Sequence, residues 1–136
     1  MFTGPLEDRV AIHELNGTYA DGVVRIDSDI WASVWAEDAH WDLMGHQTEG
    51  KEAIVTFWNG AMSGLEAVSF HCVPCMIEVT GDTARARVQT QEILKPKDGK
   101  ARHVGGLYED ELRKVDGRWL FTSRKFKIIA EFGVEG

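Results

Sequence analysis

The sequence predicts an α+β domain in which helices come first and an antiparallel sheet follows. Two observations carry this. Apolar residues recur at spacings of three and four through the first 26 positions, as on one face of a helix. Beyond Glu66 the pattern turns strand-like, in four long segments divided by TGDT, PKDGK and VDGR. Short turns make successive strands antiparallel. A sheet must cover one face, and the preceding helices are the cover available.

Taken in order, residues 6–26 read as a long helix with Ile12, Leu15, Tyr19, Val23 and Ile26 on its apolar face. Asp27 and Ser28 are capping residues for a second, short helix that turns Ile30, Trp31, Val34 and Trp35 inward. A short strand, AHWDLM, leads into a polar turn from Gly45 to Gly50. Ile54, Phe57, Trp58 and Met62 then mark a third helix. The four long strands span 67–79, 83–95, 101–115 and 118–131. Pro74 predicts an edge or bulge in the first of them, and Gly105-Gly106 a bend or bulge in the third. With no linker, repeat or low-complexity stretch, residues 1–136 form one domain.

Composition narrows the function. A chain of 136 residues can bury a sizeable core. Its net charge of −7 argues against nucleic-acid or anionic-membrane partners. No apolar run approaches the roughly 20 residues of a membrane helix. The opening MFTGPLEDRV lacks the basic-then-apolar order of a secretory signal, so a cytoplasmic location is the default expectation. Cys72 and Cys75 form a CVPC motif inside the strand-like run AVSFHCVPCMIEV. A redox pair needs a helix N-terminus to lower its thiol pKa, and no helix pattern follows. Both cysteines therefore read as buried side chains rather than redox or zinc ligands.

Five stretches stand in a telling order: DRVAIHEL…Y, DIWASVWAEDAHWD, EGKEAIVTFW, SFHCV and GGLYEDELRKVDGRWLFTSRKF. Together they resemble the SnoaL-like, scytalone-dehydratase-like family of the nuclear-transport-factor-like (NTF2-like) superfamily. The resemblance implies a cone-shaped, curved antiparallel sheet wrapped around the long first helix, with two shorter helices and a deep pocket between. It also implies chemistry without metal or cofactor. In the dehydratases and cyclases of this kind, a strand His takes a proton from carbon and a helix Asp orients it. A Tyr one turn earlier on that helix polarises the substrate. Binding-only domains and the small subunits of ring-hydroxylating oxygenases share the fold, so fold alone does not decide function.

Carried over residue by residue, the strand His is His71. Its alternation partners Ser69, Val73, Cys75 and Ile77 favour an inward ring, although Val68, Phe70 and Cys72 make the other face apolar too. Tyr19 matches the helix Tyr, with plain core packing as its competing role. The family's Asp position holds Val24. Asp27, three residues on, is the substitute candidate and equally a helix cap; Asp21 is a weaker one. Arg124 shares parity with Leu120, Phe126 and Ile128, which makes it a candidate for binding an anionic or carbonyl oxygen; an outward Arg paired with an acid is the rival reading. His103 points outward unless the Gly-Gly pair shifts the register. Gln89 and Gln91 alternate with Val88 and read as exposed, and His13, His40 and His46 receive no role.

Val24, Trp41, Trp58, Phe70, Val104, Tyr108 and Phe126 are the expected substrate-binding wall, together with Arg124. Large rings around a concave space favour flat, apolar ligands. The resulting expectation is a small cofactor-independent lyase or isomerase acting on an apolar cyclic carbonyl compound. In it His71 is the base, Tyr19 the donor and Asp27 the orienting acid. The alternatives are a non-catalytic binding or assembly domain, or an oxygenase small subunit. Trp119, Phe121, Leu107 and Ile129 have the parity of an apolar outer patch, from which a homodimer or homotrimer is expected.

Overall fold

The computed structural model describes residues 1–134. Its elements run β1 (Phe2–Thr3), α1 (Leu6–Arg25), α2 (Ser28–Ala32), β2 (Trp35–Leu43), β3 (His46–Glu49), α3 (Lys51–Met62), β4 (Leu65–Thr80), β5 (Thr83–Pro96), β6 (Ala101–Val115) and β7 (Arg118–Val134). All strands belong to one curved sheet in the order β1-β4-β5-β6-β7-β2-β3. The four long strands are antiparallel neighbours, while β2 runs parallel to β7 and β1 parallel to β4. The segment read as a polar turn after Gly45 instead pairs back on β2 as β3, and Trp35 belongs to β2 rather than to the second helix.

Helix α1 buries Asp8, Ile12, Asn16, Tyr19, Gly22 and Val23, a stripe at helical spacing. Ile26 ends the helix in the left-handed region (φ 49°), its N–H returning to the carbonyls of Gly22 and Val23. Asp27 then caps α2, its side chain accepting from the Ile30 N–H at 3.0 Å. Gly22 lets α2 cross tightly: a Cβ there would sit 2.7 Å from the Trp31 nitrogen. At the other end of α1, Asp8 accepts from the Trp119 indole (3.0 Å) and from Lys114 (3.2 Å), tying the helix to β6 and β7. Both donors hold its carboxyl below the usual range.

Three of the sheet's register shifts explain which side chains of β4 and β7 face the helices. The β4–β5 register shifts between Pro74 and Met76, and the β6–β7 register shifts at Gly105/Gly106 and at Glu111/Leu112. Each leaves one residue unpaired on one strand (Cys75, Ile129 and Thr122), and each inverts the alternation beyond it. On β4 the inward set is therefore Val68, Phe70 and Cys72 before the bulge, and Ile77 and Val79 after it. On β7 it is Trp119 and Phe121, then Arg124, Phe126 and Ile128. The expected outer patch is corrected accordingly. Trp119 and Phe121 are core residues, Leu107 is half-buried, and only Ile129 is exposed. Among the described residues no helix is long and apolar enough to cross a membrane.

Candidate active site

Between the concave sheet face and the helices lies a cavity of about 300 Å³. That is the small end of the roughly 300–1,000 Å³ typical of ligand sites. Its wall includes Tyr19 and Val23 from α1, Trp41 from β2, Trp58 and Met62 from α3, Val68 and Phe70 from β4, Glu92 from β5, Arg102, Val104 and Tyr108 from β6, and Phe126 and Ile128 from β7. The Trp58 ring stacks on Trp31 behind it, with centroids 4.4 Å apart and planes 8° from parallel. Rings thus brace the wall from two layers.

The polar inventory is short. The Tyr19 and Tyr108 hydroxyls are hydrogen-bonded at 2.8 Å. Burial pushes the Tyr19 phenol up to about 12 and raises Tyr108 well above its ordinary value, so both are neutral at physiological pH. Two hydroxyls carry two protons, and one bond between them uses one. The hydroxyl that accepts keeps its own proton free to donate. The Trp41 indole N–H lies by the Tyr108 hydroxyl but makes no hydrogen bond of good geometry, and it is buried without a partner. Among the described residues Glu92 is the one carboxyl on the wall. Burial raises it to about 7, with Arg102 opposing that shift, and its charge in turn disfavours ionisation of the Tyr19 phenol. Glu92 is half-buried, and a carboxyl raised to about 7 can take up or release a proton near neutral pH.

Beneath the tyrosines, Arg124 is fully buried. It donates from Nε (2.8 Å) and Nη2 (3.0 Å) to the two Asp110 oxygens and from Nη2 to Asn16 Oδ1 at 3.2 Å. Its guanidinium carbon lies 4.5 Å from the Tyr19 ring centroid, 3.8 Å from that of Tyr108 and 4.0 Å from that of Phe121.

Several sequence-derived expectations change here. His71 is exposed and points away from the cavity, because the bulge after Pro74 breaks its parity with Ile77. Its strand neighbours on the pocket side are Phe70 and Cys72. Asp27 spends its carboxylate on the α2 cap. Val24 is 47% exposed, and Val23 takes the pocket position one turn after Tyr19. Arg124 does point inward, yet it sits behind Tyr19 and Tyr108 rather than on the wall. His103 bonds Gln91 at 2.8 Å on the outer face. The cysteines are free, and their thiols donate to the carbonyls of Asn16 (3.7 Å) and Arg87 (3.2 Å). Tyr19, Trp41, Trp58, Phe70, Val104, Tyr108 and Phe126 do meet on one wall.

Glu92 is the residue that sequence reasoning passed over. The alternation that sends Gln89 and Gln91 outward sends Val88, Thr90, Glu92 and Leu94 inward. A carboxyl on that inward row was the available signal.

No curated protein matches the sequence. Among solved structures, a protein from Novosphingobium aromaticivorans, provisionally described as an aromatic ring hydroxylase, is 28% identical with a TM-score of 0.89; 97% of this chain and 96% of that one are covered. A second from the same species, provisionally described as a scytalone dehydratase, gives 0.87 at 21% identity over 96% and 90% of the chains. The hexachlorocyclohexane dehydrochlorinase LinA-type3 of Novosphingobium barchaimii gives 0.86 at 21% over 96% and 92%. These last two show the shared fold. Residues 4–125 match the model of the SnoaL-like domain. By that match the chain belongs to the SnoaL-like domain family.

Proposed function

We propose that the pocket catalyses a cofactor-independent proton transfer on an apolar carbonyl compound of one or two rings, as a lyase or isomerase. Glu92 takes the place that the resemblance gives to a strand His. As carboxylate it removes a proton from the carbon next to the carbonyl, and the C–H electron pair moves to the oxygen to give an enolate. The free hydroxyl proton of the Tyr19–Tyr108 pair meets that oxygen as its charge grows. Glu92 then returns the proton to another carbon in an isomerisation. In an elimination, the enolate electrons instead expel a leaving group from the neighbouring carbon, and Glu92 protonates it.

One observation supports this most: a carboxyl with a pKa of about 7 shares an apolar cavity with a neutral hydroxyl pair that has a proton to spare. The family membership and the dehydratase and dehydrochlorinase neighbours agree with lyase chemistry. The test is deuterium wash-in at the acidic C–H positions of small cyclic ketones, followed by mass spectrometry. Glu92→Gln is expected to slow exchange by about 10²–10⁴-fold, the usual worth of a positioned base, and His71→Ala to leave it unchanged. Equal rates for wild type and Glu92→Gln exclude Glu92 as the base.

A binding-only domain is the second reading, favoured by the exposure of His71 and Val24. It predicts that the ketones bind and that none of them exchanges.

A further inference from the structure

We propose that Arg124 is a positioning residue of this pocket, holding the two tyrosine rings in one geometry and strengthening, by its charge, the hydrogen bond they give to an anionic ligand oxygen. The inference rests on reading that pair as the pocket's oxygen-binding donor.

A buried guanidinium needs partners for five N–H groups, and protein interiors usually satisfy it with carboxylates and carbonyls. Arg124 is held from one side by Asp110 and Asn16, and its Nη1 has no hydrogen-bond partner at all. The rest of its plane lies against aromatic faces, with Tyr108 closest at 3.8 Å and Tyr19 at 4.5 Å. A cation over a ring face is attracted by the ring quadrupole. It also draws charge density from the phenol oxygen, which makes the hydroxyl a stronger donor. The tyrosines come from α1 and β6 and the arginine from β7, so the stack ties three elements at the point where the hydroxyls meet. Arg124 touches no cavity surface itself. It acts through the phenols.

The other charged or titratable groups around the stack are Glu92 from β5, the Cys72 thiol from β4 and Asp110 from β6, with Arg102 further out on the wall, paired with Glu131. Glu92 opposes phenol ionisation, and Arg124 favours it in both rings.

The chain has two tyrosines, Tyr19 and Tyr108, so global labelling reports on this pair alone. Protein grown with 3,5-difluorotyrosine, whose fluorines bring phenol ionisation toward neutral pH, gives ¹⁹F signals that can be titrated. Replacing the ion pair whole, as Arg124→Met with Asp110→Leu or as Arg124→Gln with Asp110→Asn, avoids stranding a buried charge. The first ionisation of the pair is expected to move up by about one pH unit, a tenfold loss of acidity, in either double variant. Arg124→Lys, which keeps the charge, is expected to return most of that shift while broadening the ¹⁹F lines through loss of the planar contact. An unchanged titration in a folded double variant overturns the proposal. If neither double variant folds, Arg124→Lys decides: sharp lines at wild-type positions overturn it. Because the readout needs no substrate, a shifted titration alongside absent ketone exchange refutes the catalytic reading while leaving the arginine's hold on the pair intact.

Discussion

Tyr19 and Tyr108, 89 residues apart in sequence, bring their hydroxyl oxygens to 2.8 Å inside the pocket. One comes from a helix and the other from a strand. The bond commits one proton and leaves one, so the pair is a single donor shared by two side chains. Removing the hydroxyl that contacts the ligand is expected to cost about 10²–10³ in exchange rate, the usual effect of losing an oxyanion donor. Removing its partner is expected to cost about tenfold, since the remaining hydroxyl keeps its proton but loses its bearing. Tyr19→Phe, Tyr108→Phe and the double variant, assayed by deuterium wash-in, check this. Equal and small losses in all three would contradict it.

Glu92 predicts a specific pH dependence. As a base whose pKa burial raises to about 7, it should give an exchange rate that climbs with pH through 7 and levels above it. In Glu92→Gln the profile should be low and flat.

The same shift has a consequence for stability. The folded carboxyl binds its proton more tightly than an unfolded one of pKa 4.5, so stability falls as pH rises from about 4.5 to about 7 and stays reduced above that. Glu92→Gln removes the burial of a charge. It should be more stable than wild type at pH 8, by at most about 3 kcal/mol, and near parity at pH 4. Urea unfolding at the two pH values measures the difference. A wild type that is the more stable protein at pH 8 would oppose the prediction.

Two glycines of α1 should respond in opposite directions. A Cβ on Gly22 meets the Trp31 backbone at 2.7–2.8 Å, so Gly22→Ala forces α1 and α2 apart and should cost roughly 1–3 kcal/mol. Gly17 has nothing within 4 Å, and Gly17→Ala should stabilise the helix by roughly 0.5–1 kcal/mol. Thermal melts of the pair separate packing from helix propensity.

Much of this architecture is legible in the sequence, because periodicity reports burial directly. The face of α1 through Ile12, Tyr19 and Val23 is real, as are the four long strands and the bulge foretold by Pro74; at Gly105-Gly106 the register does shift, but the extra residue is Ile129 on β7 rather than one on β6. The meeting of Trp41, Phe70, Val104, Tyr108 and Phe126 follows from alternation within strand segments, and that of Trp58 from the helical spacing of α3. What failed was alternation carried across a bulge. The extra residues at Cys75 and Thr122 invert parity, which put His71 inside and Trp119 and Phe121 outside on paper. Nothing local in DGRWLFTSRKF signals the bulge at Thr122; it arises from pairing with β6. The parallel pairing of β2 with β7 was likewise hidden, since it joins segments about 80 residues apart. Alternation left Arg124 open between an inward and an outward side chain; it is inward, and its burial beneath two phenols depends on Asp110 and Asn16 arriving from other elements.

The most direct measurement is a ¹³C NMR titration of the Glu92 side-chain carboxyl in the intact protein, its signal assigned by loss in Glu92→Gln. A midpoint near 7 is predicted for a carboxyl poised to move a proton within the cavity. A midpoint near the ordinary 4.5 would mean that water reaches the group freely, and it would contradict the account.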